Sequence, residues 1–130
     1  MEKYTAGFFD GEGCVAVYEG NSRFNTPLFY LRVDISQNHR GVLETIQTYY
    51  GGSINRMSNQ RAWSIQWTSK SATPFLTAIR DHLIVKRDQV DLALEFQKLI
   101  QVKGKKRRLT EDEVDDRRWF KEELQRLKRI

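Results

Sequence analysis

The chain has 130 residues, with 22 Lys and Arg against 17 Asp and Glu, for a formal charge of +5. A hydrophobic share of 39% beside 30% charged residues is a globular composition of one-domain length, outside the disordered class. No apolar run approaches the roughly 20 residues of a membrane span. Cys14 is alone, which rules out an intrachain disulfide, and with only His39 and His82 far apart there is no Cys/His set for zinc. Met1-Glu2-Lys3 does not begin a signal-peptide pattern, so the expected location is intracellular, in the cytoplasm or an organelle. The basic excess favours a polyanionic partner, nucleic acid before membrane, with no small-molecule substrate indicated. A basic, ribosome-associated structural protein would share that charge.

The first element is a short apolar helix over Lys3 to Glu12, ended by Gly11 and Gly13 and rich enough in apolar groups to be buried. Val15 and Val17, alternating with Ala16 and Tyr18, begin a strand, and a turn follows through Gly20-Asn21-Ser22 and Asn25-Thr26-Pro27. In the second strand Leu31, Val33 and Ile35 point one way, and Tyr30, Arg32, Asp34 and Ser36 the other. Asn38 to Tyr50 reads as a helix with Val42, Leu43 and Ile46 on one side, stopped by Gly51-Gly52. Ser53 to Met57 and Ala62 to Thr68 form a hairpin, with Trp63, Ile65 and Trp67 sharing a face. Ser71 or Thr73 caps a helix carrying Phe75, Leu76, Ile79 and Leu83. Another starts near Arg87 and carries Val90, Ala93, Leu94, Gln97 and Ile100. After the basic run from Lys103 to Arg108, Thr110 and Glu113 form a capping box for a last, highly charged helix.

The order is α-ββ-α-ββ-α-α-α, an α+β fold with one four-stranded antiparallel sheet and helices on its apolar face. Residues 1–102 form the core domain, and 103–130 supply a basic loop and a helix packed on it. The other sheet face carries Tyr18, Tyr30, Arg32, Asp34, Ser36, Asn55, Ser64, Gln66 and Thr68. These are mixed donors and acceptors of the kind that read base edges in a major groove, where a merely solvated face tends toward Lys and Glu.

Gly7 and Gly11 stand at i and i+4, on one face of the first helix. With Ala6 they allow another helix backbone to approach closely, whether a second chain or this chain's own core. Asp10 and Glu12 lie where the helix dipole is negative, a local cost that suggests a cation or a function. The segment Thr5-Ala6-Gly7-Phe8-Phe9-Asp10-Gly11-Glu12-Gly13, followed by Cys14-Val15, resembles the signature of the LAGLIDADG homing endonuclease family. It departs at Thr5, where the family generally has leucine. The order of elements over residues 1 to about 100 agrees as well.

The resemblance implies a site-specific nuclease that makes a metal-dependent staggered double-strand cut in a long pseudo-palindromic DNA, encoded within an intron. With a single copy of the motif, it implies a homodimer paired through the first helix, with Ala6, Gly7, Asp10 and Gly11 at the interface. It implies that Glu12, with the Gly11 carbonyl, holds Mg²⁺, or Mn²⁺ in its place; such hard oxygen donors suit either ion. Gln37 then matches the residue that positions the attacking water, and Lys86 the one that offsets developing charge. A basic position of the family falls on Gly41, with Arg40 as its nearest substitute. Candidate base readers are Tyr18, Asn21, Arg23, Tyr30, Arg32, Asp34, Asn55, Gln60, Arg61, Ser64, Gln66 and Thr68, with Ser36 beside them. Asn38, His39 and the run Lys103 to Arg108, Lys105 and Lys106 among them, suit the DNA backbone, and Arg40 is a further DNA contact. The rival reading is the same fold without cleavage, as an RNA maturase or a DNA-binding regulator.

Overall fold

The computed structural model describes residues 1–23, 25–57, 61–102 and 108–129. Helix α1 (Glu2–Glu12) runs directly into strand β1 (Gly13–Asn21), which turns back into β2 (Pro27–Gln37). Helix α2 (Arg40–Tyr50) leads to β3 (Ser53–Arg56) and β4 (Trp63–Thr68), followed by α3 (Ala72–Ile79), α4 (Arg87–Val102) and α5 (Glu111–Lys128). The four strands form one antiparallel sheet in the order β1-β2-β4-β3. The expected α+β architecture is therefore the observed one.

Strand alternation sets the two faces. Val15, Val17, Phe29, Leu31, Val33, Ile35, Ile65 and Trp67 are each no more than 4% exposed, and all lie on one side. Ala6 and Phe9 of α1, Leu43 and Ile46 of α2, Phe75, Leu76 and Ile79 of α3 and Val90, Ala93 and Phe96 of α4 complete the core. At its centre the Trp67 and Phe75 rings stack with centroids 3.8 Å apart, and the indole N–H donates to the Tyr50 carbonyl at 3.1 Å. Gly52 follows α2 at φ 98°, and a Cβ there would come within 2.8 Å of the Trp67 ring. Glycine at this position thus both turns the chain and clears the indole.

Several expectations shift locally. The first helix buries only Thr5, Ala6 and Phe9, and Tyr4 is 56% exposed, so one side of it is open. Helix α2 begins at Arg40 because His39 caps it, its Nδ1 accepting from the Val42 N–H at 3.1 Å. The Ser71 hydroxyl bonds Thr68 at both N–H and carbonyl, and so closes the turn before α3 rather than capping α3 itself. Helix α3 ends at Ile79 and a 3-10 turn (Arg80–His82) follows, so Leu83 reaches the core from outside the helix. There the Arg80 guanidinium is held by Asp91 and Asp81.

The capping box of α5 forms as expected, with Thr110 and Glu113 bonded reciprocally at 2.9 and 3.2 Å. This helix packs on α4 through Phe120 against Phe96, and lies along β1 with Leu124 buried. Glu19 ties it down, accepting from Arg118 at 2.8 Å and Lys121 at 3.3 Å. The outer edge of β1 is thereby covered by a helix, which protects it from pairing with other strands.

Candidate nucleic-acid interface and cleavage centre

Glu12 is the last residue of α1, and Gly13 begins β1 with no loop between them. A Cβ at Gly13 would fall 2.3 Å from the Phe9 ring, so this glycine lets the buried ring sit beneath the junction and fixes where Glu12 emerges. Glu12 is exposed and has no hydrogen bond or ion pair with any described residue. Two residues earlier, the Asp10 carboxylate accepts from the backbone N–H of Ile84 at 2.8 Å and of Lys86 at 3.0 Å. The Lys86 ammonium donates to the Asp10 carbonyl at 2.6 Å. A cation and two N–H groups thus answer the negative end of α1. The electrostatic cost at Asp10 is met inside the chain, whereas the cost at Glu12 is not.

Gln37 lies at the same end of the sheet. Gly13 pairs with Ile35, so Gln37 is two residues further along β2, roughly 7 Å. Its side-chain carbonyl accepts from the N–H groups of Asn38 at 2.8 Å and His39 at 3.4 Å, while its amide nitrogen has no partner among the described residues. The sheet end therefore gathers a free carboxylate, an ammonium braced against a helix terminus and an amide with spare donors. Among the described residues no cluster of three or more His, Cys, Asp or Glu exists to hold a metal. The Glu12 carboxylate and the Gly11 carbonyl are hard donors that fit Mg²⁺, an ion usually held by one or two carboxylates with waters and substrate phosphate oxygens completing its shell.

The polar sheet face is assembled by register. Tyr18 stands opposite Tyr30, Ala16 and Thr68 flank Arg32, Cys14 and Gln66 flank Asp34, and Ser64 lies between Ser36 and Asn55. Ser53, opposite Gln66, joins them, a position that alternation from Asn55 predicts but sequence reading passed over. Burial pushes the Asp34 carboxyl above the ordinary carboxylate value against the pull of Arg32 and Lys128, and likewise raises the Tyr18 phenol.

Other candidate contacts sit elsewhere. Asn21 and Arg23 lie at the tip of the β1–β2 hairpin, and Asn21 has the register of the apolar face. Arg61 is exposed in the approach to β4, and Asn38 is exposed ahead of α2. His39, expected at phosphate, is occupied in capping α2, and its ring lies over Gly41, where a Cβ would meet it at 2.9 Å. That explains a glycine where a basic residue was expected. Arg40 rests on the Trp63 ring at 4.2 Å and pairs with Glu44 at 3.7 Å. Gln60, Lys105 and Lys106 lie outside the described residues.

Two residues of the expected interface stripe are engaged within the chain itself. Ala6 is fully buried in its own core and has no surface to offer a partner, and the Asp10 carboxylate is committed to Ile84 and Lys86. Gly7 and Gly11 are exposed, and a Cβ on either meets nothing within 4 Å. Tyr4 continues their face at helical spacing, a signal the i, i+3, i+7 pattern already carried. Ile84 and Val85, 87% and 70% exposed, project from the segment that Asp10 holds, and sequence reading did not single them out.

A sheet that presents base-reading chemistry, with a free carboxylate at one end, defines a candidate nuclease. Residues 5–102 match the LAGLIDADG endonuclease family, and the chain belongs to that family. Its fold is also that of solved homing endonucleases. The archaeal intron-encoded I-Vdi141I, complexed with DNA, superposes with a TM-score of 0.84 at 22% identity, over 97% of this chain and 82% of the other. I-TnaI gives 0.81 at 19% identity over 99% and 94%. I-CvuI in complex with DNA gives 0.69 at 20% identity over 95% and 94%. No curated protein matches the sequence.

Proposed function

We propose that this chain is a homodimeric homing endonuclease that makes a metal-dependent, staggered double-strand cut in a long pseudo-palindromic DNA. The observation that carries the reading is Glu12, an unpartnered carboxylate at the end of a helix whose open face bears Gly7 and Gly11. Two copies joined along that face bring two such carboxylates together near a two-fold axis. The sheets then lie on either side of it, each against one half-site in a major groove. The cuts fall across the minor groove between them and leave 3′ overhangs.

Glu12 and the Gly11 carbonyl would hold Mg²⁺, or Mn²⁺ in its place. When bound, the ion supplies Lewis-acid stabilisation of phosphate oxygens and a more acidic water. The Gln37 amide orients the attacking water through its unpartnered nitrogen. Lys86, held by Asp10, would offset the negative charge that develops on the phosphate, with little reorganisation of its own. An intron-borne gene would place the protein wherever the host gene resides, in the cytoplasm or an organelle.

The test begins with selection of bound duplexes from a randomised DNA library, after which the recovered sequence is placed in a plasmid. The reading expects linear product with 3′ overhangs in Mg²⁺ and none with EDTA. Tight, specific binding with no cutting in Mg²⁺ or Mn²⁺ would replace it with a non-cleaving regulator or maturase.

A further inference from the structure

Arg32 is the one cation and Asp34 the one anion among the described strand residues on the polar sheet face. Arg32 sits on an interior strand, between Ala16 on β1 and Thr68 on β4. The small Ala16 leaves space beside it. The Tyr18 ring lies 5.4 Å from the guanidinium carbon and is itself stacked on Tyr30 at 5.7 Å. Asp34 Oδ2 stands 3.5 Å from Nε, an ion-pair distance without hydrogen-bond geometry. Nε is sealed from solvent and makes no hydrogen bond, and the side chain as a whole is 36% exposed.

The guanidinium is thus held from behind and from one side; Nε is buried without an acceptor, and the terminal nitrogens make no hydrogen bond with any described residue. A partly desolvated donor group without acceptors is costly alone and rewarding once acceptors arrive. With Asp34 on the Nε side, the two terminal nitrogens, which are not sealed from solvent, are the donors left accessible to a ligand. Two parallel N–H groups match two neighbouring acceptors, and in a major groove the O6 and N7 atoms of guanine present that pair. The planar fork makes the match, which a lysine ammonium cannot reproduce.

We propose that Arg32 reads a guanine at one fixed position in each half-site, with Tyr18 and Asp34 as positioning residues. The proposal rests on the DNA-binding homodimer described above. Two-fold symmetry then requires the guanines at symmetry-related positions on opposite strands.

Duplex selection with the full-length protein and its variants tests this. Wild type should demand guanine at one symmetric pair of positions. Arg32→Ala should lose roughly 5- to 150-fold discrimination at each position of that pair and at no other, the worth of one bidentate contact per copy. Arg32→Gln, which keeps the stem if Arg32→Ala folds poorly, should lose the same guanine preference, and Arg32→Lys should not restore it. Asp34→Asn should weaken the preference at the same pair and leave the others unchanged. Uniform weakening across all sequences, with the guanine preference intact, would make Arg32 a phosphate contact and overturn the proposal. A wild-type protein that selects no sequence would sink the endonuclease reading and this proposal with it.

Discussion

Gly7 separates the stability of the protomer from the stability of the pair. It lies inside α1, where glycine costs roughly 1 kcal/mol relative to alanine, and an added Cβ meets nothing within 4 Å in the single chain. Gly7→Ala should therefore stabilise the isolated protomer by about 1 kcal/mol, worth roughly 3–5 °C in Tm for a chain of this size. If α1 packs on its two-fold mate, the same methyl enters a close helix contact twice, once from each copy. At about 1–3 kcal/mol per overpacked methyl, the dimer should weaken by at least roughly 30-fold, and Gly7→Leu should leave monomers. Light scattering across a dilution series reads the assembly, and urea unfolding below the dissociation constant reads the protomer. A Gly7→Leu variant that dimerises as tightly as wild type would refute the helix-to-helix interface. A Gly7→Ala protomer less stable than wild type would refute the open face itself.

Three further outcomes follow from particular contacts. Asp10→Asn weakens two charge-assisted acceptors of the Ile84 and Lys86 N–H groups; it should cost about 2 kcal/mol and lower kcat more than it raises KM, read by urea unfolding and cleavage kinetics. Asp34, its carboxyl raised by burial, binds protons in the folded state that the unfolded chain has released, so it lowers stability as pH rises through its raised value; Asp34→Asn should raise Tm near neutral pH, and the gain should shrink as pH falls back through that range. Glu19 is the reverse case, held below the ordinary value chiefly by the hydrogen bond from Arg118. Its contribution is present above the unfolded value and lost as pH falls through the lowered one. Glu19→Gln should cost under about 1 kcal/mol and speed amide hydrogen exchange in α5 before the sheet.

Legibility in the sequence followed the range of the interaction. The β2 alternation, the Thr110–Glu113 capping box and the glycines ending α2 are local rules, and each appears where the residues put it. Glu12 stood out because a carboxylate at a helix C-terminus is unfavourable without a partner, and among the described residues it has none; the metal-holding role expected of it came from the family resemblance. Asp10 shared that signature, yet its partners lie more than 70 residues away, at Ile84 and Lys86, and no spacing rule reaches them. Ala6 and Gly7 are neighbours in sequence, and only packing against α3 and the sheet decides that one turns inward and the other outward. The role of His39 was hidden for a similar reason: its ring competes with a side chain at position 41, and the glycine there is the trace of that competition. Phe96, fully buried in α4, was missed beside more regular neighbours.

The most direct measurement compares binding and cutting by Glu12→Gln on the DNA selected by the wild-type protein, in Mg²⁺. Loss of one exposed carboxylate per copy should leave the fold and the affinity within a few-fold of wild type and abolish both linear and nicked product. Cutting at the wild-type rate by Glu12→Gln would show that the bond is broken without that carboxylate, and the account of the site would be wrong.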